Sequence, residues 1–278
     1  MTALWHGEPE PHSFHPSGAD WLRIVARGLP LAVLVFGGLV VLLVVRLIER
    51  PFFGIQRPVT PHITQFVCRM AFVILGIPFK AIGQPMREKG AVVANHAGWL
   101  DIFTLNAKKR VYFVSKSEVA RWPGIGWLAR ATGTVFINRD RREAAQQIEV
   151  FRERLTAGHK LLFFPEGTSS DSRRVLPFKS TLFAAFFTKE LRDFMWVQPV
   201  TVRYIAPTTE DPRFYGWWGD MDFAPHLAQT LAARKQGRVE LIYHRPVKVS
   251  DFASRKDLAA YCETAVRDGL GDLNVEAS

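Results

Sequence analysis

From Leu29 to Val45 the chain reads LPLAVLVFGGLVVLLVV, seventeen residues without a charge. Side chains of this kind have to leave water, so the run commits one end of the chain to lipid or to a protein interior. Arg23 and Arg27 precede it, and Arg46, Glu49 and Arg50 follow. A spanning helix needs about 20 apolar residues, and this run sits at the short end. It crosses a bilayer once, or it lies as a shallow anchor whose flanking arginines reach back to the head groups. A cleaved leader fits less well, because the run begins late and no small-x-small site follows it.

The flanking segments give a first division of the chain. Residues 1–20 are rich in His, Pro and Gly and are expected to be disordered. A second apolar stretch, Ile63 to Phe79, is interrupted by Gln65, Arg69, Gly76 and Pro78. That pattern predicts an amphipathic helix, at the membrane interface or packed under the following domain. Residues 21–84 therefore form an anchoring and interfacial unit, and residues 85–278 a folded domain. The mean hydropathy of +0.02 excludes a polytopic membrane protein.

A net charge of +10 suits a polyanion, either nucleic acid or an anionic membrane face. The chain has no zinc pattern, RNA-binding signature or basic zipper, so the expected partner is membrane lipid and not nucleic acid. Cys68 and Cys262 are far apart in apolar, helical contexts without metal-ligand spacing. They read as buried thiols, and no metal is expected.

From Ala91 onward short β-rich runs alternate with helical ones. Strands are predicted at 91–94, 111–114, 134–137, 160–164, 195–204 and 239–247. Helices are predicted at 99–107, 140–157, 181–192 and 256–270, with Asp140 as an N-cap and Gly158 as a stop. The alternation implies an α/β fold with a mixed central sheet flanked by helices, preceded by the hydrophobic anchoring segment. Residues 208–222, rich in Pro, Gly and Trp, read as a surface loop near lipid.

Four short segments carry chemistry. The first is Asn95-His96-Ala97-Gly98-Trp99-Leu100-Asp101, at a strand end. His96 and Asp101 cannot share a face of one continuous helix. They can meet if His96 sits in the turn and Asp101 opens the helix. A carboxylate on one imidazole nitrogen then sets the tautomer while the other nitrogen takes a proton. The second segment is Phe164-Pro165-Glu166-Gly167-Thr168, a carboxylate, an unhindered backbone and a hydroxyl after a strand. The third, Gly133 to Arg139, ends a strand with an arginine suited to phosphate or carboxylate. The fourth is Val197-Gln198-Pro199-Val200, whose proline favours a sheet edge or a bulge.

In this order and spacing the four segments resemble the glycerolipid acyltransferase family, with its Asn-His-x4-Asp, Gly-x-x-Phe-Ile-x-Arg, Phe-Pro-Glu-Gly-Thr and Val-Pro blocks. The resemblance covers roughly residues 85–205. It implies that His96 is the general base on an acceptor hydroxyl and that Asp101 orients it. It implies acceptor-binding roles for Arg139, Glu166, Gly167, Thr168 and Lys179, and a donor or acyl site near Pro199. The donor is an acyl thioester, on acyl carrier protein or coenzyme A, and no other cofactor is required. Backbone N–H groups beyond His96 are the expected oxyanion donors. Ser169 stands where phosphatidate-forming members commonly have arginine. The run from Thr168 to Ser180 is more similar to the bacterial branch that acylates lyso-ornithine lipid, so that lysolipid is the preferred acceptor and lysophosphatidate the alternative. The expected location is the inner membrane, with the domain facing the cytoplasm.

Competing classes fare worse. A Ser hydrolase would show a Gly-x-Ser-x-Gly elbow, which the chain lacks. A non-catalytic membrane scaffold would not need both His96 and Asp101.

Overall fold

The structure is a computed structural model that describes residues 4–10, 14–138 and 144–271. Helix α1 (Gly18–Phe53) contains the whole charge-free run and extends it at both ends. Helix α2 (Thr60–Leu75) folds back along it, so the second apolar stretch is a helix as expected, ending at Gly76. The two approach closely: a Cβ on Gly38 would lie 2.6 Å from Val67 Cγ2. Their junction is closed by Glu49, which is buried. Its carboxylate accepts from Val59 N (2.6 Å), Thr60 N (3.0 Å) and Thr60 Oγ1 (2.7 Å) at the start of α2. These are N–H groups that a helix start leaves without partners.

The sheet that follows consists of β1 (Phe79–Ile82), β2 (Gly90–Ala94), β3 (Tyr112–Lys116), β4 (Val135–Ile137), β5 (Lys160–Phe163), β6 (Trp196–Ile205), β7 (Arg238–Tyr243) and β8 (Val247–Lys248). Its order is β1-β7-β6-β2-β5-β3-β4, with β8 also paired to β6. The β6–β7 and β6–β8 pairs are antiparallel and the others parallel, which makes the sheet mixed.

Side-chain alternation along the strands separates two cores. Val92, Leu162, Val200, Val202 and Leu241 face one side, where Leu31 of α1, Ala71 and Leu75 of α2 and Leu105 of α3 (Asp101–Lys108) join them. Ala91, Val93, Leu161 and Val197 face the other, against Leu155 of α5 (Ala144–Thr156) and Leu258 and Cys262 of α7 (Arg255–Leu270). Both cysteines are buried, and burial pushes the Cys68 thiol up to about 12. Helices α4 (Ile125–Thr132) and α6 (Phe223–Ala232) are the other α-helices among the described residues.

Several expectations need correction. The segment predicted as a helix at 181–192 is a 3-10 turn, Ser180–Phe187. Its three-residue period stacks Phe183 and Phe186 on one side, both against Phe163 at 5.8 and 5.1 Å. Most aromatics of the loop at 208–222 turn inward, since Phe214, Tyr215 and Trp218 are buried. Residues 4–10, expected to be disordered, pack on this loop. Trp5 lies 6.2 Å from Trp218, and Trp218 Nε1 donates to Glu8 O. Pro199 is at neither an edge nor a bulge, but in β6 opposite Val93. Its carbonyl accepts from His244 N, so its missing N–H faces the break between β8 and β7, where no ladder bond is lost. The expected N-cap Asp140 lies outside the described residues.

Candidate active site

The two principal segments leave adjacent parallel strands at the same end of the sheet. Strand β2 runs into Asn95, whose side chain is inserted into the neighbouring strand. Its Oδ1 accepts from Val202 N (2.8 Å) and its Nδ2 donates to Val202 O (2.9 Å). The turn after it is thereby tied to β6. His96 follows, and α3 begins at Asp101. This is the strand-to-helix arrangement that lets the two residues meet.

His96 Nδ1 lies 2.7 Å from Asp101 Oδ2. The same oxygen accepts from Ala97 N (2.8 Å) and Gly98 N (3.1 Å), while Tyr204 OH donates to Oδ1 (2.8 Å). Asp101 is 0% exposed, yet four donors and the start of α3 surround its carboxylate. The imidazole is partly open to solvent and stacks on Phe164, with centroids 3.9 Å apart and planes within 10°. With Nδ1 engaged, Nε2 is the nitrogen left to exchange a proton with a ligand.

The same contacts occupy several of the N–H groups beyond His96. The Ala97 and Gly98 N–H groups are spent on Asp101, and those of Asp101 and Ile102 on Gly98 O and Trp99 O. Gly98 also has no room for a side chain, since a Cβ there would lie 2.8 Å from Trp217 Cβ. Trp217 N donates to Ala97 O (2.8 Å), which locks the aromatic loop onto the dyad's turn.

The second segment extends β5. Glu166 is 1% exposed and bridges two backbones, with Oε1 accepting from His96 N (2.7 Å) and Oε2 from Leu176 N (2.8 Å). Burial pushes its carboxyl up to about 8, against the pull of those two N–H groups. Glu166 thus lies behind the dyad, where it holds the His96 backbone and cannot meet a head group. Gly167 turns the chain at φ +75°, and Lys179 crosses it: a Cβ on Gly167 would lie 2.9 Å from Lys179 Nζ. Gly167 and Thr168 are half-buried and Lys179 is exposed. Pro199 is buried within the sheet. Arg139 lies outside the described residues.

Sequence reasoning missed Asn95, Tyr204 and Ser170 as parts of this arrangement. Ser170 N donates to His96 O (2.9 Å). Tyr204 had one signal, a hydroxyl at the inward parity of Val200 and Val202. Among the described residues, His6, Glu10 and Asp220 bring three ligand atoms within 4.8 Å of one another, but all are exposed and none belongs to the dyad.

A family model described as Acyltransferase matches residues 81–203. The lyso-ornithine lipid O-acyltransferase of Rhodobacter capsulatus is 59% identical, over 96% of this chain and 97% of its own. Its namesake in Brucella abortus is 38% identical, over 74% of this chain and 80% of its own. The crystal structure of the 1-acyl-sn-glycerophosphate acyltransferase of Thermotoga maritima superposes with a TM-score of 0.65, covering 92% of this chain and 96% of that one at 23% identity. The last likeness speaks to the fold. The near-full-length identities carry more: the chain is an acyl-transferring enzyme and belongs to the acyltransferase family, within its lyso-ornithine lipid O-acyltransferase branch.

Proposed function

We propose that the enzyme moves a fatty acyl group from a thioester onto the free hydroxyl of lyso-ornithine lipid. The observation that carries the mechanism is the buried Asp101 carboxylate on His96 Nδ1, which leaves Nε2 as the base. Nε2 takes the acceptor's hydroxyl proton as its oxygen attacks the thioester carbonyl. The tetrahedral adduct collapses by breaking the C–S bond, and the imidazolium returns the proton to the leaving thiolate. Asp101 steadies the imidazolium in between. A positioned base contributes about 10²–10⁴-fold. The thioester supplies an activated electrophile, so no enzyme nucleophile is required.

Gly167, Thr168 and Lys179 bound the acceptor side, and Arg139 is assigned to it from the sequence motif alone. A lyso-ornithine head group offers a carboxylate to these cations and has no phosphate. The donor rides on acyl carrier protein or coenzyme A. Ser169 and the 59% identity to the Rhodobacter capsulatus relative support this acceptor over lysophosphatidate.

The protein is membrane-associated through its N-terminal unit, residues 21–84. Leu22, Val25, Leu29, Val33, Phe36, Val40, Val44 and Leu47 are exposed and recur every three or four residues, one continuous apolar stripe along α1. Both ends of α1 also touch the rest of the molecule. Arg23 and Arg27 donate to the Leu231, Ala232 and Ala233 carbonyls at the end of α6, and Glu49 holds α2. Contacts at both ends support an interfacial placement over a span, with α1 lying in the interface and its stripe in lipid. The catalytic domain faces the cytoplasm.

The test is a competition in mixed micelles, with one labelled acyl thioester and equal lyso-ornithine lipid and lysophosphatidate. Product mainly as ornithine lipid is expected. Product mainly as phosphatidate would replace the acceptor assignment with the alternative.

A further inference from the structure

A cavity of about 580 Å³ opens between α1 and α4. Arg46 and Arg50 of α1, Arg57 of the following loop and Arg130 of α4 surround it, and Leu43 and Trp127 form its apolar side. The cavity is remote from the dyad. Ala131 leads into the N-terminal end of β4, whereas His96 and Glu166 follow the C-terminal ends of β2 and β5. These strands run parallel through β3, so the cavity lies toward the opposite end of the sheet.

Its charge is poorly balanced. Glu49 meets Arg46 at 3.1 Å, but the same carboxylate is already shared with Thr60 and Val59. Arg57 donates to Ala131 O and Arg130 to Ala120 O. Those carbonyls fix the guanidiniums in place without neutralising them. The Arg50 side chain has no ion-pair partner among the described residues. Burial, and then the Arg46 charge, hold the Arg57 guanidinium below its ordinary range. Arg57 is also held at φ +51°, a region that residues other than glycine rarely adopt, so the backbone bends to bring this charge here. A bound anion would relieve the crowding.

The other half of the cavity is apolar and faces outward. Trp127 is 62% exposed, and the lipid-facing stripe of α1 passes Leu43. The charge-free run ends at Val45, one residue before Arg46. The boundary between apolar surface and cationic surface thus crosses the cavity. A free phosphate would satisfy only the cationic half. A ligand with a phosphate and an acyl chain satisfies both, and the arginine fork suits phosphate oxygens.

We propose that this cavity binds one anionic phospholipid of the surrounding membrane, with its phosphate among Arg46, Arg50, Arg57 and Arg130 and an acyl chain along Leu43 and Trp127. The lipid is a resident ligand, separate from acceptor and donor. The site rests on the interfacial placement of α1 proposed above.

The experiment titrates the full-length protein, in a neutral detergent, with short-chain phosphatidylglycerol and reads bound lipid by native mass spectrometry. One phosphatidylglycerol per chain is expected, with phosphatidylcholine held more weakly. The double variant Arg50→Gln, Arg130→Gln should bind it about tenfold or more weakly, for the loss of two charge-assisted contacts, with the lipid-free melting temperature unchanged. Wild-type affinity in that variant overturns the proposal. Displacement of the lipid by equal concentrations of inorganic phosphate or of coenzyme A also overturns it, the first by making this a free-phosphate site and the second a donor site. Flotation on pure phosphatidylcholine vesicles reads the placement of α1 separately. A wild-type protein that fails to float loses the placement, while binding in detergent still reports on the cavity.

Discussion

Asp101 has its two oxygens divided between opposite tasks. Oδ2 gathers His96 Nδ1 and two backbone N–H groups, and Oδ1 takes the Tyr204 hydroxyl. In Asp101→Asn the amide oxygen can keep the three donors, and the amide nitrogen can face Tyr204, whose hydroxyl accepts as well as donates. The geometry survives and the charge does not. We expect kcat to fall about 10²–10⁴-fold, with little change in melting temperature. Full activity in this variant would remove the carboxylate from the mechanism. Glu166 makes a different prediction. Its carboxyl rises from an ordinary 4.5 to about 8 on burial, so the folded state holds the proton more tightly than the unfolded chain. The stability this provides is complete below about pH 4.5 and is lost as pH rises through about 8. Glu166→Gln cannot titrate. Its stability deficit against wild type should therefore narrow between pH 5 and 8.5 in thermal melts; a constant deficit would show that Glu166 does not titrate in that window. His96, Asp101 and Glu166 were legible because each stands in a short motif at a strand end. Asn95 bonding to Val202 and Tyr204 bonding to Asp101 were not, because each contact joins residues more than 100 positions apart. Only the register of β6 against β2 brings them together.

At the level of elements, periodicity located most strands and helices, while partners decided their final form. The helix predicted at 181–192 became a 3-10 turn because Phe163 offers one surface to both Phe183 and Phe186. The tryptophan-rich loop turned inward because Trp217 N and Trp218 Nε1 find carbonyl acceptors in Ala97 and Glu8. No local pattern announces either choice. The α1–α2 corner shows the same dependence on a partner. Glu49 looked like a flanking charge beside an apolar run, yet it is buried and caps α2. Glu49→Ala would leave the Val59 and Thr60 donors and the Arg46 charge without it. The expected cost is about 2–4 kcal/mol, read by chemical denaturation in detergent. A loss within about 0.5 kcal/mol, the range of an ordinary surface substitution, would mean that water replaces Glu49 and that the corner does not depend on it.

For the whole molecule, the apolar run left two arrangements open, a single span or a shallow anchor, and they differ in one measurable quantity. A helix rises about 1.5 Å per residue, so Leu22 and Val44 lie about 33 Å apart along α1. In a spanning helix most of that length is a difference in depth. In a helix lying in the interface, residues of one stripe share a depth. The fold favours the second arrangement, because α6 is bound to one end of α1 and the α2–α4 region to the other. A span perpendicular to the bilayer would drag the sheet and its buried charges into hydrocarbon. Placed in the interface, the stripe stays in lipid while the arginines on the flanks of α1 meet head groups or α6 carbonyls. Spin labels on Leu22→Cys, Val33→Cys and Val44→Cys, in a background with Cys68 and Cys262 replaced by alanine, report depth through accessibility to oxygen and to a polar relaxation agent. Similar depths at all three positions are expected in bilayers. A steady change of tens of ångströms from Leu22 to Val44 would restore the span, and the α1–α6 contacts would then have to open in the membrane.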